Sequence, residues 1–203
     1  MRGVFHEAGF YVAVGLVAPL VLLADPGAAR VGAAIYAGCL AGCFGASALY
    51  HRPTWTPRAR ALLARVDHAG VYLLIAGTYT PICLVVMSRG WRVAILAVVW
   101  SGAGAAILLK LCWMRAPKWL SAVIGLALGW VAIAAITQLL KIPPGGLVLL
   151  VAGGLFYSCG AIVYARRRPD PLPSVFGYHE LFHVLTLVAA ACQCTAIGAY
   201  VVA

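Results

Sequence analysis

His179-Glu180-Leu181-Phe182-His183 sets two imidazoles four residues apart, where the chain enters a long apolar run. At about 3.6 residues per turn such a pair shares one helix face, so both rings can reach a single metal ion. From Val184 to Ala203 the chain has no charged residue. A metal-type pair therefore stands where water meets lipid. A third histidine, His51, closes another apolar run after Ser47-Ala48-Leu49-Tyr50. Three histidines fit a tetrahedral zinc site that keeps its fourth position open, as catalytic zinc does; neutral imidazoles also suit iron and copper. Any one of these histidines alone would read as an interfacial ring bonded to headgroups.

Four further residues compete for roles around that trio. Ser47 lies one turn before His51, placed to touch a metal-bound water or stabilise an oxyanion, unless its hydroxyl bonds back to a helix carbonyl. Asp67 opens an apolar run, and an ionisable group in a membrane helix is functional by default. It could accept a hydrogen bond from a ligand imidazole or from the water; its alternative role is to cap the helix. His68 points about 100° away from Asp67 on a helix and is assigned to the interface. Glu180 completes a literal zincin spelling, in which a glutamate acts as general base. An intramembrane protease would place another acidic ligand deep in a helix, and Glu7, Asp25, Asp67 and Asp170 all lie near the ends of apolar runs. The protease reading is therefore set second.

The elements that must carry these residues are membrane helices. Of 203 residues, 64% are hydrophobic and 10% charged, against about 25% charged in soluble domains. The mean hydropathy is +0.98. The net charge of +10 does not read as a nucleic-acid surface, because the basic residues fall between apolar runs without an aromatic-laced patch. Seven cysteines, an odd number and mostly inside apolar stretches, make no disulfide framework. Cys39 and Cys43 are spaced i,i+4 on a helix that Gly38, Gly42 and Gly45 make rich in small residues, so they are assigned to packing rather than to a soft metal. The first apolar stretch resembles a secretory signal, but His6 and Glu7 dilute its charged region and no A-x-A site follows. It is read as a retained helix, and residues 1–203 as a single membrane domain without a soluble module or low-complexity tail.

A helix needs about 20 apolar residues to cross the hydrocarbon core. Charges, prolines and glycines divide the chain into seven spans near residues 8–24, 31–51, 67–87, 93–113, 119–140, 146–165 and 179–203. The expected fold is an all-α seven-helix bundle. The N-terminus and the even-to-odd loops carry eleven Lys and Arg, the opposite loops four. The positive-inside rule then puts the N-terminus in the cytoplasm and the C-terminus outside. In that topology His51, Asp67, His179 and His183 all fall at the cytoplasmic end of their helices. Three separate helices thus bring polar residues to one depth.

The order Ser47-x-x-x-His51, then Asp67-His68-Ala69-Gly70-Val71-Tyr72-Leu73-Leu74-Ile75-Ala76-Gly77-Thr78-Tyr79-Thr80-Pro81, then His179-x-x-x-His183, resembles the hemolysin III family, bacterial relatives of the progestin and adipoQ receptors. The resemblance spans nearly the whole chain. It implies a seven-helix bundle with zinc near the cytoplasmic face, held by His51, His179 and His183, with Ser47 and Asp67 close by. In the wider superfamily, which includes alkaline ceramidases, such sites are thought to hydrolyse lipid amides. One departure is visible: Gln193 stands where the family often has a further histidine.

Two functions of different classes follow. The first is a zinc hydrolase of a lipid amide or ester, at work in membrane lipid homeostasis in the plasma membrane, with Asp67 as base and Ser47 at the oxyanion. The second is a non-enzymatic homeostasis or sensor protein in which zinc staples the helices. The family name also carries a cytolytic claim, but a secreted toxin needs a route out and a water-soluble state, which this composition does not offer. Membrane lipids are the expected partners. A lipid-sized cavity would favour the enzyme, and a filled bundle the staple.

Overall fold

The computed structural model describes residues 3–114 and 116–203. Seven helices long and apolar enough to cross a membrane follow one another: α1 (Val4–Leu22), α2 (Ala28–His51), α3 (Pro57–Val86), α4 (Arg89–Cys112), α5 (Lys118–Leu139), α6 (Pro144–Arg166) and α7 (Tyr178–Tyr200). Among the described residues the β structure is an isolated bridge between Leu172 and Phe176, ahead of α7. The all-α, seven-helix membrane bundle expected from the apolar runs is the architecture found.

Two helices begin well before their apolar runs. α3 starts at Pro57, ten residues ahead of Asp67. Thr56 caps it by accepting a hydrogen bond from the Ala59 amide at 3.3 Å, and Pro57 sits where its missing N–H costs nothing. Arg58, Arg60 and Arg65 ride on this extension; Arg58 and Arg60 are exposed and Arg65 is half-buried. Asp67 consequently lies inside the helix, and the capping alternative falls away. α1 likewise starts at Val4 and holds His6 and Glu7 within its first turns. α7 opens as anticipated, just before His179, with the Glu180 carboxylate accepting from the Gly177 amide at 3.0 Å.

Inside lipid a broken helix must find other partners for its freed backbone groups. α5 is broken: residues Val131–Ala135 wind as a 3-10 turn, although no proline lies within the span. The Tyr79 hydroxyl of α3 resolves both ends of the break. It donates to the Gly129 carbonyl at 2.7 Å and accepts from the Ala132 amide at 2.9 Å.

The bundle is tightest between α2 and α3. A methyl group on Gly77 would come within 2.6 Å of the Cys39 Cβ, one on Gly70 within 3.1 Å of the Cys43 Cα, and one on Gly32 within 2.7 Å of the Pro81 Cα. Cys39 and Cys43 are packing residues, but the glycines that receive them belong to α3. A methyl group on Gly38 or Gly42 would meet nothing within 4 Å, and Gly45 faces the Phe10 ring. Without a hydrophobic drive between helices, such close backbone approach is what holds them together. Gly77→Val should therefore cost about 1–3 kcal/mol by overpacking and lower the melting temperature in detergent, whereas Gly42→Val should leave it unchanged. Equal melting temperatures for the two variants would contradict the seam.

Candidate metal centre

α2 ends at His51 and α7 begins at Tyr178, so an antiparallel pair of helix ends presents His51 opposite His179 and His183. One ring nitrogen from each of the three lies within 4.8 Å of the other two. His51 Nε2 and His179 Nε2 are 3.2 Å apart. Zinc–nitrogen bonds of about 2.0–2.1 Å in a tetrahedral site put neighbouring ligand nitrogens about 3.3 Å apart. Two imidazole nitrogens converging at this distance suit a shared proton or a bridging cation. The donor set and its spacing fit a metal ion.

Asp67 reaches the same point from α3. Its Oδ2 is 3.9 Å from His51 Nε2, the nitrogen that faces the other histidines. That distance is too long for a hydrogen bond, and the carboxylate sits on the converging side of the ring rather than behind it. Ser47 does not bond back to its own helix: its hydroxyl shares a 2.8 Å hydrogen bond with His6 Nδ1. His68, assigned to the interface from the sequence, is not one of the three converging histidines but lines the same cavity, its Nδ1 donating to the Ala64 carbonyl one turn back. Glu180 also stays out of the trio and closes the N-terminus of α7.

His6 is the residue that sequence reasoning passed over. Its ring stacks flat on His183, with centroids 3.8 Å apart and planes 5° from parallel. It is 4% exposed, and its Nε2 is buried with no hydrogen-bond partner among the described residues. One signal could have found it. α1 starts at the same end of the bundle as α3 and α7, so the depth argument that gathered Asp67 with the histidines reaches His6 once α1 begins at Val4. Gln193 lies ten residues beyond His183, about 15 Å along the helix, where its Nε2 donates to the Leu150 carbonyl.

His6, Ser47, His51, Asp67, His179 and His183 all line one cavity of about 810 Å³. It runs through the bundle from the histidines, past Tyr79 and Trp130, to Met87, Ile136 and Leu139. One end is polar and the other is apolar.

The helices and this centre define a multi-pass membrane protein with a three-histidine cluster at one end of an internal cavity. Residues 1–194 match the family described as haemolysin-III related, and the chain belongs to that family. It is 36% identical over 138 residues to Hemolysin-3 of Bacillus cereus, covering 66% of this chain and 59% of that protein. A Hemolysin-3 homolog of Bacillus subtilis (strain 168) is 33% identical over 135 residues, 66% of this chain and 61% of that one. The chain thus spans about three fifths of the length of these two relatives. The Heptahelical transmembrane protein ADIPOR2 of Oryza sativa subsp. japonica is 31% identical over 157 residues, 69% of this chain and 68% of that protein.

His6→Ala would remove a stacked ring and one of Ser47's two partners, the other being the Asp67 carboxylate, which should destabilise the protein by about 1–3 kcal/mol. Glu7→Ala breaks a shorter contact, the 2.7 Å ion pair with Arg52, but that pair is exposed and should cost under about 1 kcal/mol. Thermal melts in detergent should rank His6→Ala clearly below Glu7→Ala; the reverse order would refute the structural weight given to His6.

Proposed function

We propose that this protein is a zinc-dependent hydrolase of a lipid amide or ester, seated in the plasma membrane and serving membrane lipid homeostasis. One observation carries the reading: the three imidazoles converge at the polar end of a cavity large enough for an acyl chain and apolar at its far end. His51, His179 and His183 would hold the metal. Zinc in such a site polarises a carbonyl and lowers the pKa of its water toward about 7.

The protein's own groups then have distinct tasks. Asp67, beside the converging nitrogens, takes the proton from the attacking water and later delivers it to the leaving group. Ser47 stabilises the oxyanion, which requires its hydroxyl proton to point at the substrate. It can do so if His6 donates from Nδ1 to Ser47 Oγ and the hydroxyl turns toward the substrate from the Asp67 carboxylate, with which it also bonds. His6 therefore serves as the residue that orients Ser47. The apolar reach toward Met87 and Leu139 excludes water and accepts the acyl chain.

Purified protein should contain close to one zinc per chain, and His51→Ala, His179→Ala or His183→Ala should each remove most of it, while His68→Ala should not. Asp67→Asn should keep metal and fold but lose about 10²–10⁴-fold in hydrolysis of a lipid amide or ester. Glu180→Gln should change hydrolysis only a few-fold, because that carboxylate is engaged at the helix end. Collapse in Glu180→Gln with tolerance of Asp67→Asn would replace the base. Indifference to both, in a phenotype that needs the three histidines, would make the zinc a structural staple.

The loop charges, eleven against four, support an N-terminus in the cytoplasm and a C-terminus outside. A reporter fused after Ala203 should read as extracytoplasmic and one inserted near Arg58 as cytoplasmic. A cytoplasmic signal from Ala203 would reverse the assignment.

A further inference from the structure

The cavity that holds the histidines is also ringed by cations from four successive helices. Arg60 stands in the first turn of α3, Lys110 in the last turn of α4, Lys118 at the start of α5 and Arg167 directly after α6. Chain direction alternates from helix to helix, so all four lie at the end of the bundle that carries His51 and His179. Asp67 is the one carboxylate among the described residues of the cavity lining. Among the described residues the ion pairs are those of Asp67 with His51 and of Glu7 with Arg52, so none of the four cations has a carboxylate partner there.

Two of them are fixed by aromatic rings that abut the metal centre. The Lys118 ammonium lies 4.4 Å from the Tyr164 ring centre and 4.8 Å from that of Tyr178, and it donates to the Tyr178 hydroxyl at 2.9 Å. Those two rings stand 6.1 and 6.2 Å from the His179 ring. On the other flank the Arg60 guanidinium lies 5.3 Å from the Tyr50 ring, which is 4.5 Å from His51. Lys110 is the most telling. It is only 5% exposed, yet it faces the cavity. A charge taken into a membrane helix is costly, and the general bias of loop charges does not require one that is covered by protein and turned inward.

We infer that the cavity takes a lipid whose headgroup carries a phosphate, held against Lys110, Lys118 and Arg60, with its acyl chain toward Met87 and Leu139. A phosphate offers acceptor oxygens in several directions, which suits donors arriving from separate helices. The inference rests on the proposed lipid chemistry for its place in a reaction, but the binding it asserts needs neither metal nor turnover.

Trp130 supplies the readout, since it lines the cavity with its indole Nε1 donating to Ser158 Oγ at 3.0 Å. The full chain, stripped of metal in a neutral detergent, is titrated with phosphatidylglycerol, phosphatidylcholine and diacylglycerol, each with brominated chains. Quenching that is lost in Trp130→Phe reports the cavity. Phosphatidylglycerol should quench this component at about tenfold lower concentration than the other two lipids. Lys110→Met and Lys118→Met should each weaken phosphatidylglycerol about fivefold and leave diacylglycerol unaffected. Arg89→Gln, at the opposite end, should match the parent. Inorganic phosphate in large excess should not displace the lipid; displacement would mean a site for a free anion and would overturn the lipid assignment. Equal affinity for the three lipids, insensitivity to both lysine variants, or quenching that survives Trp130→Phe would also overturn it. Selective binding without any hydrolysis would leave this inference standing and sink the hydrolase; hydrolysis of neutral lipids without selectivity would do the reverse.

Discussion

Hydrocarbon offers no hydrogen bonds, and that single constraint decides where this chain can keep its polar groups. Several polar side chains inside the bundle are tied to backbone, and others are gathered at one end. Thr78, Thr80 and Thr186 return their hydroxyls to the carbonyls one turn back. Tyr79 closes the break in α5. The largest side-chain group surrounds His51: His6 on Ser47 and His183, Asp67 beside the converging nitrogens, His179 across from His51. Such a group is costly to assemble, because each member must be desolvated. Its members come from α1, α2, α3 and α7, so it also joins elements that are far apart in sequence.

The sequence carried the helix count and the trio of histidines well, for a physical reason. Apolar runs of membrane length and imidazoles spaced i,i+4 are local patterns, and depth follows from counting helices. The helix starts were less legible. Hydropathy reports which residues leave water, whereas a helix is bounded by its hydrogen bonds, so α1 and α3 extend into polar segments that hydropathy assigns to loops. This displaced Asp67 from a helix end and left His6 outside the first apolar span, near residues 8–24. The packing of Cys39 and Cys43 was anticipated, but the partner glycines were not, because which face of α3 meets α2 depends on helix rotation. The α5 break and the cavity were invisible for the same reason. Both arise from how helices lean on one another, and no proline marks the break.

The distribution of close packing bears on how one bundle can hold both a metal-type centre and a lipid-sized space. Ligand atoms must be kept within a few tenths of an ångström, whereas an acyl chain needs room and tolerance. The helices that carry the cluster are held closely. α2 meets α3 through Gly70 and Gly77, and α1 lays Gly9 against Leu187 of α7 and Phe10 against Gly45 of α2. α7 in turn presses Gln193 on Gly153 of α6. α5, which holds none of the histidines, is broken at its middle and supplies Ser121, Gly125, Trp130 and Ile133 to the cavity wall, while Leu128 anchors it against Gly102 of α4. Stiffness is thus spent on the side of the bundle where geometry must be exact to sub-ångström tolerance. Slack is left on the side where the occupant is a flexible chain. A break in α2 or α7 would shift ligands; in α5 it reshapes only the wall, with Tyr79 keeping the freed backbone groups satisfied.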